Sequence, residues 1–130
     1  MITIATTDPA TEPAVTIQQQ LDAYNAKDLE GLLTIYAENA QMFEYPATLA
    51  ATGTAELRQR FAGRFQEPDL HAQLLKRIVM GNIVVDHELV TRTFAEGTGT
   101  IELTMIYEVQ KGKIQRAWMI PGPKTVAEKA

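Results

Sequence analysis

The order helix, helix, short strand, helix and then four long strands predicts an α+β fold, a cone-shaped curved antiparallel sheet with three helices packed on one face. Three observations carry the prediction. Apolar residues in the first half recur at helical spacing. From His71 onward the period changes from 3.6 towards 2. Three turn compositions then divide the second half into strands that can form a meander. Such a sheet buries one face against its helices, and an apolar pocket between them follows.

Residues 1–11 are rich in Thr and Ala without periodicity, as a loose N-terminal arm would be. Thr11, Glu12 and Pro13 make a helix start, with a capping hydroxyl, a first-turn acid, and a proline whose missing N–H costs nothing there. Ile17, Leu21 and Tyr24 share one stripe of this helix, and Lys27 closes it. Asp28 can cap a second helix whose apolar positions are Leu29, Leu32, Leu33 and Tyr36. A link this short makes the two helices nearly antiparallel. Asn39 breaks the pattern, residues 40–45 read as a short edge strand, and Pro46 stops it. Residues 47–53 are a loop of small side chains. Thr54 then caps a third helix with Leu57, Phe61 and Phe65 on its stripe and Arg58, Gln59 and Arg60 off it.

Four strands follow, at residues 71–80, 83–94, 100–110 and 113–120, separated by Gly81-Asn82, Glu96-Gly97-Thr98-Gly99 and Lys111-Gly112. In the third of them Ile101, Leu103, Met105, Tyr107 and Val109 share one face, while Glu102, Thr104, Ile106 and Glu108 share the other. Pro121-Gly122-Pro123 ends the last strand, which leaves 12–123 as a single domain and 124–130 as a tail. The mixed outer face is too polar for a core and suits contact with a second copy, so a homodimer is expected.

Composition narrows the function classes. A chain of 130 residues has room for one domain with a real core. A net charge of -4, with no basic run interleaved with aromatics, argues against nucleic acid as a partner. The absence of cysteine removes disulfides, thiol catalysis and thiolate metal sites, and fits a reducing compartment. Residues 1–13 lack a secretory pattern, and no apolar run approaches membrane-spanning length. The expectation is a cytoplasmic protein without a membrane partner.

With NAKDLEGLLTIYAENAQMFEYP, the Gly53-Thr54 helix start and the closing KGKIQRAWMI, the chain resembles the nuclear-transport-factor-like superfamily over about residues 14–120. It is most similar to the SnoaL-like and ketosteroid-isomerase-like branches. The resemblance implies the cone fold and an internal pocket, but that fold hosts isomerases, cyclases, dehydratases and non-catalytic modules. In the isomerases a carboxylate base sits on the short strand after the second helix, and Glu44 matches it with one methylene more. The tyrosine oxyanion donor of that branch corresponds to Gln20, and the protonated aspartate donor, allowing one gap in the Lys111-Gly112 turn, to Met105. Both strong acid donors are thus missing. His87 takes a position that is apolar in the isomerase pocket.

Glu44 and His87 are the candidate catalytic pair. In a pocket lined by Met42 or Phe43, Phe61 and Met105, desolvation raises a Glu44 carboxyl towards the range useful for a general base. At a strand edge the same residue is a solvated carboxylate paired with an arginine such as Arg58. If Val85 and Leu89 face the core then His87 does too, where it can orient Glu44 or be a core histidine bonded to a tyrosine or carbonyl. In that phase Asp86 and Glu88 face away. Candidate substrate-binding residues are Gln20, Tyr36, Phe61, Met105, Tyr107 and Trp118. Tyr36 and Tyr107 also fit a plain core, Tyr45 is a further hydroxyl, and Trp118 can wall the pocket or meet a second copy. His71, His87 and a carboxylate are a formal but widely spaced metal set, and no cofactor fingerprint occurs. The function expected is cofactor-independent acid/base chemistry (isomerisation, cyclisation or hydration) on a small apolar carbonyl or hydroxyl compound. The alternative is a non-catalytic ligand-binding or dimerisation module of the same fold.

Overall fold

The computed structural model describes residues 12–126. Three helices, α1 (Pro13–Asn25), α2 (Leu29–Ile35) and α3 (Gly53–Arg64), lie on one face of a curved, unclosed six-stranded sheet. Its strands are β1 (Tyr36–Glu44), β2 (Thr48–Thr52), β3 (His71–Met80), β4 (Ile83–Phe94), β5 (Gly97–Gln110) and β6 (Lys113–Val126). The order across the sheet is β2-β1-β6-β5-β4-β3, antiparallel except where β1 runs parallel to β6. The α+β cone expected from the sequence is the observed architecture.

Local chemistry accounts for the helices. Pro13 opens α1 behind an extended Glu12 whose side chain makes no capping bond, and Thr11 lies outside the described residues. Lys27 takes a left-handed φ of 54° in the link to α2. Asp28 caps α2 by accepting from the Gly31 N–H at 3.0 Å, an approach that a side chain at Gly31 would obstruct. For α3 the cap residue is Thr52 rather than Thr54, and Glu56 Oε1 accepts from the Thr52 N–H at 3.1 Å. Ile17, Leu32, Leu57, Val84, Ile114 and Ala117 are fully buried where the helices meet the sheet. Asn25 pins the end of α1 to β3, its amide exchanging two hydrogen bonds with the backbone of Ala72.

The sequence reading and the structure differ along the edges of the sheet. Tyr36 starts β1 instead of ending α2, and β1 is an interior strand. The expected loop 47–53 is largely β2, the true edge, whose small residues pair with β1 through Gln41, Met42, Phe43 and Glu44. β6 runs through Pro121 and Pro123 to Val126 because their positions need no complete ladder of N–H donors at the end of the sheet. The expected tail therefore begins with strand at residues 124–126, while 127–130 and the expected arm 1–11 lie outside the described residues. Among the described residues no helix is long and apolar enough to cross a membrane.

Candidate functional site

Alternation along β4 decides which side chains enter the space under the helices. Val84, Asp86, Glu88 and Val90 are buried inward, and Ile83, Val85, His87 and Leu89 face the other way. Glu88 is only 4% exposed and lies opposite Leu103 of β5. It lines an inner cavity of about 60 Å³ together with Gln20, Tyr36, Phe61, Met105 and Tyr107.

Desolvation by burial pushes the Glu88 carboxyl up to about 7, the nearby Asp86 charge adds to the rise, and the Arg77 guanidinium opposes it. Asp86 itself is held by Arg77, whose Nε and Nη2 donate to its two oxygens at 2.7 and 2.8 Å. Arg77 also reaches α1 by donating to Gln18 Oε1 at 2.9 Å. One carboxylate on this face of β4 is thus neutralised in a buried fork and the other is left to face the cavity.

Three polar side chains form a ladder across the cavity wall. Tyr107 Oη donates to Gln20 Oε1 at 3.4 Å, and Gln20 Nε2 donates to Tyr36 Oη at 3.5 Å. The Tyr36 hydroxyl hydrogen is not spent in this ladder. Desolvation raises both tyrosines, so they remain neutral donors. Edge-on and tilted contacts among Tyr24, Tyr36, Phe61 and Phe65 make the remaining wall aromatic.

The inner cavity opens into an outer vestibule of about 290 Å³; the two share Tyr24, Arg60, Arg64, Val90, Leu103 and Met119. Glu44, Tyr45 and Arg92 lie only on the outer part. Arg92 is held in a fork on Glu67 at 3.1 and 2.7 Å, and Arg64 Nε stands 3.4 Å from the same carboxylate. Partial burial alone would raise Glu67, but hydrogen bonds from Arg92 and the Thr93 N–H hold it below its ordinary value.

The expected pair does not converge. Glu44 is exposed at the vestibule rim, at the end of β1. His87 is on the outer face, 43% exposed, with Nε2 2.9 Å from Glu102 Oε1. The phase of β4 was misread because Ile83, Val85 and Leu89 form the more apolar row, and that row faces outward. A legible signal lay in the two-residue Gly81-Asn82 turn, which sets Met80 opposite Ile83 and so Arg77 opposite Asp86. A charge pair in that register marks Asp86, and with it Glu88, as inward. Trp118 also lies on the outer face, stacked on Phe43 with ring centroids 5.7 Å apart. It is therefore not part of the pocket wall. Gln20, Tyr36, Phe61, Met105 and Tyr107 do meet at one cavity. His71 pairs with Thr91 and His87 with Lys76, roughly 13 Å apart along β4 at ~3.3 Å per residue, so the formal metal set is not assembled. Among the described residues no three His, Asp or Glu side chains are grouped to hold a metal ion.

Known proteins agree with this architecture. A cystatin-fold protein from Novosphingobium aromaticivorans superposes with a TM-score of 0.78 at 22% identity, over 84% of this chain and 97% of its own. An NTF2-like protein of unknown function from Cytophaga hutchinsonii gives 0.72 at 15% identity, over 92% and 96%. AclR, a candidate hydroxylase from Streptomyces galilaeus, gives 0.73 at 15% identity, over 85% and 88%. These likenesses are of fold alone. No curated protein matches the chain. The SnoaL-like domain profile, however, matches residues 17–117, most of the helices and sheet just described, and on that match the chain belongs to the SnoaL-like family within the NTF2-like superfamily.

Proposed function

We propose that the protein is a cofactor-independent acid/base enzyme acting on a small, largely apolar carbonyl compound, with Glu88 as the proton-transferring group. The observation that carries this reading is a single carboxyl, buried, raised to about 7 and open to an aromatic-walled cavity. As a carboxylate, Glu88 takes a proton from the carbon beside the substrate carbonyl. The C–H electron pair becomes a C=C bond and the carbonyl π pair moves to oxygen. Tyr36, positioned by Gln20, donates its hydroxyl hydrogen bond to that oxygen. Returning the proton to another carbon completes an isomerisation, and attack of the carbon on a second carbonyl completes a cyclisation. Glu44 at the rim and His87 on the outer face have no part in this step.

Deuterium uptake from D2O at the α-carbon of 2-tetralone, followed by NMR, tests the reading. The wild type accelerates exchange, Glu88→Gln loses at least about a hundredfold of it, and His87→Ala keeps it within about twofold. Equal exchange by wild type and Glu88→Gln removes Glu88 from the mechanism. The second reading, a binding module without turnover, is favoured by Gln20 and Met105 standing where the isomerase branch carries its two strong acid donors. It predicts binding of tetralone with no exchange. We further propose a homodimer through the outer sheet face, supported by a row of apolar side chains that crosses all six strands from Leu49 to Ile78.

A further inference from the structure

We propose that the vestibule is a carboxylate-binding subsite, so that the substrate is an elongated apolar molecule with one anionic end held by Arg60 and Arg64 at the mouth. This inference rests on the reading of the cavity as a ligand site and names the class of ligand. Arg58, Arg60 and Arg64 all belong to α3. Arg58 turns outward and is satisfied by Glu30. Arg60 and Arg64, four residues apart, lie on the cavity side with Phe61, and both line the inner and outer spaces.

Like charges at that spacing oppose helix formation, and nothing in the core requires them. Among the described residues Arg60 forms no ion pair; its one recorded polar contact is the Met119 thioether, 3.8 Å from Nη2. Arg64 is depressed first by desolvation, and the charges of Arg92 and Arg60 push it the same way. Its one carboxylate, Glu67, is already taken by Arg92 in a fork. Around the mouth, three guanidinium groups therefore face two carboxylates, Glu67 and the rim residue Glu44. Glu88 lines the inner cavity beside the same Arg60 and Arg64, so the excess is one positive charge while Glu88 is protonated, on a chain whose net charge is -4. A monoanion balances that excess, and a carboxylate matches a guanidinium fork.

Distance supports an elongated ligand. Glu88, Val90 and Arg92 succeed one another on the inner side of β4, so Glu88 and the Arg92 side of the mouth are roughly 13 Å apart at ~3.3 Å per residue, and Arg60 and Arg64 line both the inner and the outer space between them. The inner volume of about 60 Å³ holds only the reacting end, and the body must extend into the outer 290 Å³. A charged tail left at the mouth stays near water while Glu88 works in the dry end.

Calorimetric titration of 2-naphthaleneacetate against its uncharged primary amide tests the subsite on the whole chain. The acid should bind at least about tenfold more tightly than the amide, and added NaCl should weaken only the acid. Arg60→Gln should bring the two within about threefold by weakening the acid alone, and Arg64→Gln should act in the same direction. An acid no tighter than its amide overturns the subsite while leaving the cavity reading intact. A preference for the acid that survives both substitutions also overturns it. Failure of both probes to bind at millimolar concentration overturns subsite and cavity reading together. Acid preference without tetralone exchange upholds the subsite and rejects the enzyme.

Discussion

A carboxyl inside an apolar wall carries its own signature in stability. Glu88 has an ordinary value of 4.5 and rises to about 7 in the fold, so between those two pH values the folded protein binds more protons than the unfolded chain. Stability therefore falls as pH rises through that window; the penalty is absent below it and complete above it. Desolvation is the chief cause; the charged or titratable neighbours are Asp86 and Arg77 on the hairpin, Tyr24, Tyr36 and Tyr107 from α1, β1 and β5, and Arg60 and Arg64 of α3, which line the same cavity. The full penalty is about 3 kcal/mol. Glu88→Gln should consequently gain on the wild type as pH rises, by about 3 kcal/mol between pH 4.5 and pH 8 in urea unfolding. A difference that stays constant with pH would mean that Glu88 is not desolvated. The same window governs exchange, which should rise with pH and level off above about 7.

At the scale of the hairpin β3–β4, the Arg77–Asp86 fork both fixes the register and tunes the acid beside it. Asp86 has 1% side-chain exposure and Arg77 15%, so removing the arginine strands a buried charge. Arg77→Ala should cost about 3–5 kcal/mol, and in whatever fraction stays folded the exchange profile should move to higher pH, because Arg77 lowers Glu88. A profile that does not move would show that the fork is structural only. This hairpin is also where sequence reading was least able to find the site. The helices were legible because Leu29, Leu32 and Leu33 bury one stripe and leave the opposite one polar. β5 was legible because Met105, Tyr107 and Val109 are buried on one face. β4 has apolar residues on both faces, so alternation located the strand but not its inward side. Glu44 was placed by likeness to a base on the corresponding strand; it ends β1 exposed at the open rim of the vestibule, where water reaches it. Arg60 and Arg64 were hidden because a charge on a helix normally means solvent, and only the tertiary position of α3 turns them to a cavity.

The whole molecule adds a second apolar surface, on the side of the sheet away from the helices. Cross-strand register brings Leu49, Phe43, Trp118, Ile106, Val85 and Ile78 into one row spanning all six strands. Leu49 and Ile78, at its two ends, are 49% and 53% exposed. A continuous apolar row of this kind on a water-facing sheet marks a contact surface. Beside it Arg116 and Glu108 stand opposite each other in the register without forming an ion pair among the described residues. A second copy of the chain presents the same apolar row and the same pair of opposite charges, so the surface is self-complementary in kind, as a two-fold contact requires. A dimer also accounts for the outward phase of β4 that misled the sequence reading, since Val85 and Leu89 then pack in an interface. Ile106→Glu puts a charge in the centre of the row without touching the cavity. In sedimentation velocity the wild type should run as a dimer and Ile106→Glu as a monomer, with the circular dichroism spectrum unchanged. A wild type that stays monomeric at about 100 µM, far above the dissociation constants of stable interfaces, would leave the row without its proposed occupant. If the dimer forms, the vestibule lies on the opposite side of the sheet from the interface, and carboxylate binding should be the same in monomer and dimer.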